Sequence, residues 1–230
     1  MRAPSLRVTI VGLIITLWPV AERDASGAQP NNAEQQRLNQ AIQSYINERQ
    51  ADQDQLIATK ATPLLNDPLT PVIGSSEADV AIIEFVDYTC PFCKAAEPRL
   101  EALLKNDRRV KLVVKEFPIL TPESLIAAKA ALASVKQGKY AQFHQAMMMF
   151  KGRLQNSTIF DIAKDVELDI QRLRKDMQAP DVSDEIIANF NLARSIRVFE
   201  TPAFIVGKHL LTGPSAEIDF PRVVAAARAK

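Results

Sequence analysis

The 230-residue chain has little of what several function classes require. It holds two cysteines, two histidines, seven glycines and one tryptophan, and aromatic residues make up 6% of it. Lysine and arginine total 28 against 27 aspartates and glutamates, so the formal charge is only +1 and no basic stripe or acidic tail marks a nucleic-acid partner. Cys90, Cys93, His144 and His209 exhaust the supply of soft metal ligands. The two histidines lie in separate segments with no ligand spacing, which argues against zinc and implies no metal or other cofactor. Met147, Met148 and Met149 are consecutive, and on a helix they point in different directions, which argues against a methionine box for copper. His144, among Phe143, Met147 and Phe150, reads as a packed helix residue. No nucleophile elbow surrounds any serine, and there is no internal repeat.

Long apolar runs are also missing. Val8 to Trp18 is well short of the ~20 residues a spanning helix needs. It follows Arg2 and Arg7 and precedes the small residues Ser26-Gly27-Ala28, the layout of a signal peptide over residues 1–28, with Ala21 as a second cleavage candidate. The alternative is an uncleaved anchor. Removal takes Arg2, Arg7, Arg23, Glu22 and Asp24 and leaves a formally neutral chain. Export places the cysteines in an oxidising compartment, where disulfides persist.

What the chain does have is the tetrad Cys90-Pro91-Phe92-Cys93, which contains both thiols. A ring this short restricts the unfolded chain little, so a structural staple there adds little stability. The spacing instead points to a redox-active pair.

Residues 29–66 are rich in Gln, Asn and Glu, with Leu38, Ala41, Ile42, Tyr45 and Ile46 at helical spacing. They predict a helical arm that either rests on the following domain or assembles copies of the chain. Asn66-Asp67-Pro68 and Pro71 mark a junction, and residues 67–230 read as the principal domain. Val80 to Val86 predicts a buried strand, followed by the tetrad and a helix through Lys105; Arg109 to Phe117 predicts a second strand. Thr121-Pro122 caps a helical block running to about residue 196. Ala203 to Val206 and His209 to Thr212 then form a hairpin, and Ala216 to Ala229 a closing helix. This order outlines an α/β thioredoxin-type sheet with a helical insertion over roughly residues 121–196 and an N-terminal helical extension.

Thiol–disulfide exchange requires a thiolate. Cys90 follows a strand and opens a helix, where free N–H groups and the helix dipole favour negative charge. Cys93, one turn on, is placed to resolve a mixed disulfide, and Pro91 occupies a first-turn position where its missing N–H costs nothing. Glu84 is the single polar residue of VAIIEFV. It is either desolvated with a raised pKa, poised to relay the proton of Cys93, or at a strand edge in water. Lys115 in the neighbouring strand is its candidate partner or a surface lysine. Thr201-Pro202 precedes the third strand, where proline in either isomer is allowed.

Four blocks, EFVDYTCPFCK (84–94), KEFPIL (115–120), AAKAALASVKQGKYAQFHQAM (127–147) and TPAFIVG (201–207), occur in this order. Together they make the chain resemble the DsbA-like branch of the thioredoxin superfamily, with its junction and tetrad most similar to ScsC-type members. The resemblance covers about residues 67–228. It implies that Cys90 is the exposed nucleophile, Cys93 the resolving thiol and Glu84 the buried acid, with Phe92 between the thiols. It further implies a reversible Cys90–Cys93 disulfide, a cis Pro202 facing it, and a Thr201 backbone that receives a client peptide. Pro98 matches a helix-kinking proline. Glu200 departs from the glycine usual in relatives. The activity implied is that of a periplasmic disulfide oxidase or isomerase. Its partners would be exported proteins with cysteines and a membrane redox partner, with a homo-oligomer possible through the arm. The competing class is a copper-binding or chaperone module using the same thiols.

Overall fold

The computed structural model describes residues 32–65, 69–213 and 218–229; the signal segment lies outside them. The chain divides into two compact units between Ser44 and Tyr45. Helix α1 (Asn32–Thr59) begins in the first unit, where every described residue is exposed. In the second unit, its last turns and α2 (Ala61–Leu65) bury Ile57 and Leu64, while Gln53 donates to the Ile196 carbonyl.

Among the described residues, five strands form one sheet in the order β1-β3-β2-β4-β5: β1 (Val72–Gly74), β2 (Val80–Val86), β3 (Val110–Glu116), β4 (Ala203–Val206) and β5 (His209–Leu211). Only β2 and β3 pair in parallel. The central strands are almost continuously apolar because helices cover both faces. Side chains alternate between those faces. Ile82, Val86, Leu112 and Val114 join a core under α3 (Pro91–Asn106) and α9 (Phe220–Arg228). Ile83, Phe85, Val113 and Phe117 join a second core with Ile57, Leu64 and Leu192.

Five helices lie between β3 and β4: α4 (Pro122–Val135), α5 (Tyr140–Met149), α6 (Asn156–Asp165), α7 (Ile170–Asp176) and α8 (Pro180–Ser195). The first begins where Thr121-Pro122 predicts, with Thr121 and Ser124 forming a reciprocal capping box. The sequence did not reveal β1. The three residues after Pro71, ending at the positive-φ Gly74, are too few to show a period, and only antiparallel pairing with β3 makes them a strand.

Candidate active site

The tetrad sits at the point where β2 turns into α3. Cys90 is the N-cap, with extended backbone, and Pro91 takes the first helical position. The Thr201–Pro202 bond is cis, and the Thr201 carbonyl accepts a hydrogen bond from Cys90 Sγ at 3.2 Å. The carbonyl that precedes β4 thus meets the sulfur that precedes α3. The expected exposure of Cys90 does not hold: its residue is 2% exposed, tucked under the Thr201 loop, while Phe92 beside it is 55% exposed. Phe199 and Glu200 are also exposed next to this loop.

Both cysteines are free thiols here. They differ sharply in acidity. The hydrogen bond from the Cys93 thiol is the main force lowering the Cys90 pKa to about 6; burial opposes it, and backbone N–H groups of the first turn add to it. The sequence pointed to the helix terminus, yet the largest contribution comes from the partner thiol. Burial pushes Cys93 far above an ordinary thiol, and its bond to Cys90 and the charge of Glu84 push the same way. One sulfur is therefore a thiolate at neutral pH and the other a thiol.

Glu84 is wholly buried, with its pKa held well above the carboxylate range by burial and then by the charges of Glu97, Glu116 and Cys90. Neither of its oxygens has a hydrogen-bond partner among the described residues. Lys115 is not that partner. Glu84 pairs with Val114 across the parallel ladder and shares its face, whereas Lys115 stands opposite Phe85 and shares the other face with Val113 and Phe117 of the second core. There it is buried, donates to Thr70 Oγ1 and lies 3.9 Å from Glu185.

Sequence reasoning missed a polar framework around the thiols. Asp87 Oδ1 accepts from the Thr89 N–H and hydroxyl, and its Oδ2 accepts from the N–H groups of Ile119 and Leu120 at 3.0 Å each. One carboxylate thereby ties the approach to Cys90 to the loop after β3. Lys94 Nζ donates to the carbonyls of Met147, Met148 and Phe150, pinning α3 to the end of α5. Glu116 Oε1 accepts from Tyr88 and Tyr140, and Tyr88 also bonds His144 Nδ1 at 2.8 Å. Burial raises Glu116 to about 8, against the pull of the two tyrosines. The available signal was weak: Asp87-Tyr88-Thr89 directly precede the tetrad, and Glu97 follows Cys93 by four residues.

The four soft ligands do not assemble. His209 pairs with Asp54 at 3.1 Å, far along the chain from His144's partners. Met147 and Met148 are buried while Met149 is exposed. Among the described residues, one set of metal-capable groups converges: Glu84, Glu97 and His144, all buried, with ligand atoms within 4.8 Å of one another.

Among solved structures, a thioredoxin-like oxidoreductase from Silicibacter pomeroyi is 38% identical, with a TM-score of 0.69 over 74% of this chain and 98% of its own. The catalytic domain of Proteus mirabilis ScsC is 28% identical (TM-score 0.69, 77% and 99%). The thiol-disulfide exchange protein alpha-DsbA2 of Wolbachia pipientis is 28% identical (TM-score 0.72, 79% and 97%). The first curated relatives are Na(+)/H(+) antiporters of Salinispora, of which the chain spans only 22% and 21%. The family profile described as thioredoxin matches residues 66–226. On that match the chain belongs to the thioredoxin family, with neighbours of the DsbA and ScsC type and two thiols at the head of α3.

Proposed function

We propose that this protein donates disulfides to exported proteins in the periplasm, through a reversible Cys90–Cys93 disulfide. The observation that carries the reading is the split in acidity between two adjacent sulfurs, with Cys90 lowered to about 6 and Cys93 raised. A client thiolate attacks Cys90 and expels Cys93; a second client thiolate then attacks the mixed disulfide and expels Cys90. A stabilised Cys90 thiolate leaves readily and favours the reduced pair, which makes the disulfide oxidising. Cys93 closes the pair again by resolution, and Glu84 takes up or returns its proton. Thr201 and Pro202 present backbone to the client, and exposed Phe92 and Phe199 offer it apolar contact. Export rests on the signal-like residues 1–28, and reoxidation falls to a membrane redox partner. No helix among the described residues is long and apolar enough to cross a membrane.

A second reading, disulfide isomerisation by an oligomer, is favoured by α1. Leu38, Ile42, Tyr45 and Ile46 are about half exposed on it (52%, 48%, 58% and 47%). Insulin reduction and scrambled-ribonuclease refolding by wild type and Cys90→Ser test the activity, and wild type inactive in both would end it. Light scattering before and after deletion of residues 29–66 tests the oligomer: a monomer in both cases removes the isomerase reading.

A further inference from the structure

Cysteine and histidine are too few in this chain for a zinc site built from them alone, but zinc also takes carboxylate oxygens. The fold brings such ligands together from three elements. Glu84 comes from β2, on the face it shares with Val114 under α3. Glu97 comes from α3, one turn beyond Cys93, and His144 from α5 in the helical insertion. One ligand atom of each lies within 4.8 Å of the other two. His144 Nε2 is 3.6 Å from Glu97 Oε2. Two ligands on a tetrahedral zinc stand about 3.4 Å apart, so this pair already has nearly the required spacing.

The protonation of the set points the same way. Both oxygens of Glu84, Oε2 of Glu97 and Nε2 of His144 are buried without a hydrogen-bond partner among the described residues. Tyr88 spends its hydroxyl proton on Glu116, so His144 Nδ1 is the donor in the 2.8 Å bond to Tyr88 and Nε2 carries a lone pair. An outer hydrogen bond of this kind fixes the tautomer and orientation of a ligating imidazole. Acceptors from three side chains therefore face one another where water does not compensate them. Burial keeps a proton on Glu84 in the metal-free protein, but one proton serves one contact and leaves the remaining acceptors unmet. A divalent cation meets all three side chains at once and balances the charge of two carboxylates.

The donor set also selects the ion. Magnesium and calcium demand six or more oxygens, whereas one imidazole and two carboxylates suit borderline zinc and leave a position for water. An ion has a way in. A groove of about 340 Å³ lies between α3 and α5, with Glu97 and His144 in its lining and Glu101 and Gln142 beside them.

We propose that Glu84, Glu97 and His144 form a zinc site that ties β2, α3 and α5 together beneath the thiols. The cation takes the place of the proton that Glu84 otherwise holds. It joins the strand that leads into the tetrad to the helical insertion, through side chains that are distant in sequence. The site uses neither thiol, which separates it from a copper module built on Cys90 and Cys93. It stands independently of the exchange function.

The probe is Zn²⁺, titrated calorimetrically into the untagged full chain carrying both Cys90→Ser and Cys93→Ser, so that no binding comes from thiols. One equivalent is expected to bind. Glu84→Gln and Glu97→Gln, each added to that background, are expected to weaken binding at least about tenfold. His209→Ala is the control, because His209 with Asp54 is the other place among the described residues where a histidine meets a carboxylate, and it should leave binding unchanged. X-ray absorption at the zinc edge of the same double-serine chain should show an imidazole nitrogen and oxygens at about 2.0–2.2 Å. That spectrum needs no ligand variant, so with the His209→Ala control it decides the matter if a glutamine variant does not fold. Absence of a bound equivalent overturns the site. So does binding that either glutamine variant leaves unchanged, binding that His209→Ala abolishes, or a zinc shell without imidazole.

Discussion

Cys90 Sγ donates to the Thr201 carbonyl across 3.2 Å, joining the start of α3 to the turn before β4 through the reacting atom itself. The bond belongs to the thiol form alone. Ionisation trades it for the hydrogen bond from Cys93, which dominates the fall of the Cys90 pKa. The thiolate thereby leaves the Thr201 carbonyl without the Cys90 donor, which under the proposed function opens it to a client N–H.

Alkylation of the dithiol protein by iodoacetamide follows from this. Its rate should rise with pH along a single titration centred at about 6, the Cys90 value. The same shift has a stability consequence. The folded pKa is about 6 against an ordinary 9.0, so between them the unfolded chain binds the additional proton and stability rises with pH. The contribution is complete above 9 and lost as pH falls through 6. Thermal unfolding of dithiol wild type and of Cys90→Ser should therefore diverge in favour of wild type from pH 6 upward. Parallel curves would contradict the thiolate.

Glu84 is expected to cost stability and confer rate. A buried carboxyl with neither oxygen partnered among the described residues loses its hydration without compensation. Glu84→Leu should stabilise the protein by about 1–3 kcal/mol in urea titrations. The same change should slow resolution by Cys93 roughly a hundredfold. A variant that is less stable and equally fast would show the carboxyl to be structural.

How far the sequence revealed this site depends on the kind of fact. That Glu84 is buried could be read from VAIIEFV, since a strand with six apolar residues of seven has no face left for water. The partner of Glu84 could not. Strand parity decides it, and a shift of one residue in register moves a side chain to the other face. The observed ladder sets Glu84 against Val114, not Lys115. The cis Thr201–Pro202 bond came through family resemblance, because either isomer suits a strand start. Glu97 and His144 were illegible for a different reason: their meeting depends on how α3 packs on α5, and no local period records that.

Lys115 carries its own prediction. It, Thr70 and Glu185 form a buried cluster on the face away from the thiols. Lys115→Met leaves Glu185, 3% exposed, without its cation, and should cost about 3–5 kcal/mol. Adding Glu185→Leu removes the stranded charge and should recover most of that loss. Neither change should alter the pH midpoint of Cys90 alkylation or the rate of resolution by Cys93. A shift in either would return Lys115 to the active site.

Asp87 should be the least replaceable polar residue near the tetrad. Four donors converge on its two oxygens: the Thr89 N–H and hydroxyl on one, the Ile119 and Leu120 N–H groups on the other. Asparagine preserves the shape and fails on chemistry, because its NH2 must face one of those donor pairs. Asp87→Asn should therefore lose about 1.5–3 kcal/mol, close to the loss for Asp87→Ala, where ordinary surface aspartates lose almost nothing. Urea midpoints with unchanged slopes measure the loss. Faster hydrogen exchange at the Ile119 and Leu120 amides than at those of β3 would locate it in the loop that Asp87 holds. An Asn variant as stable as wild type would mean that these amides find other acceptors.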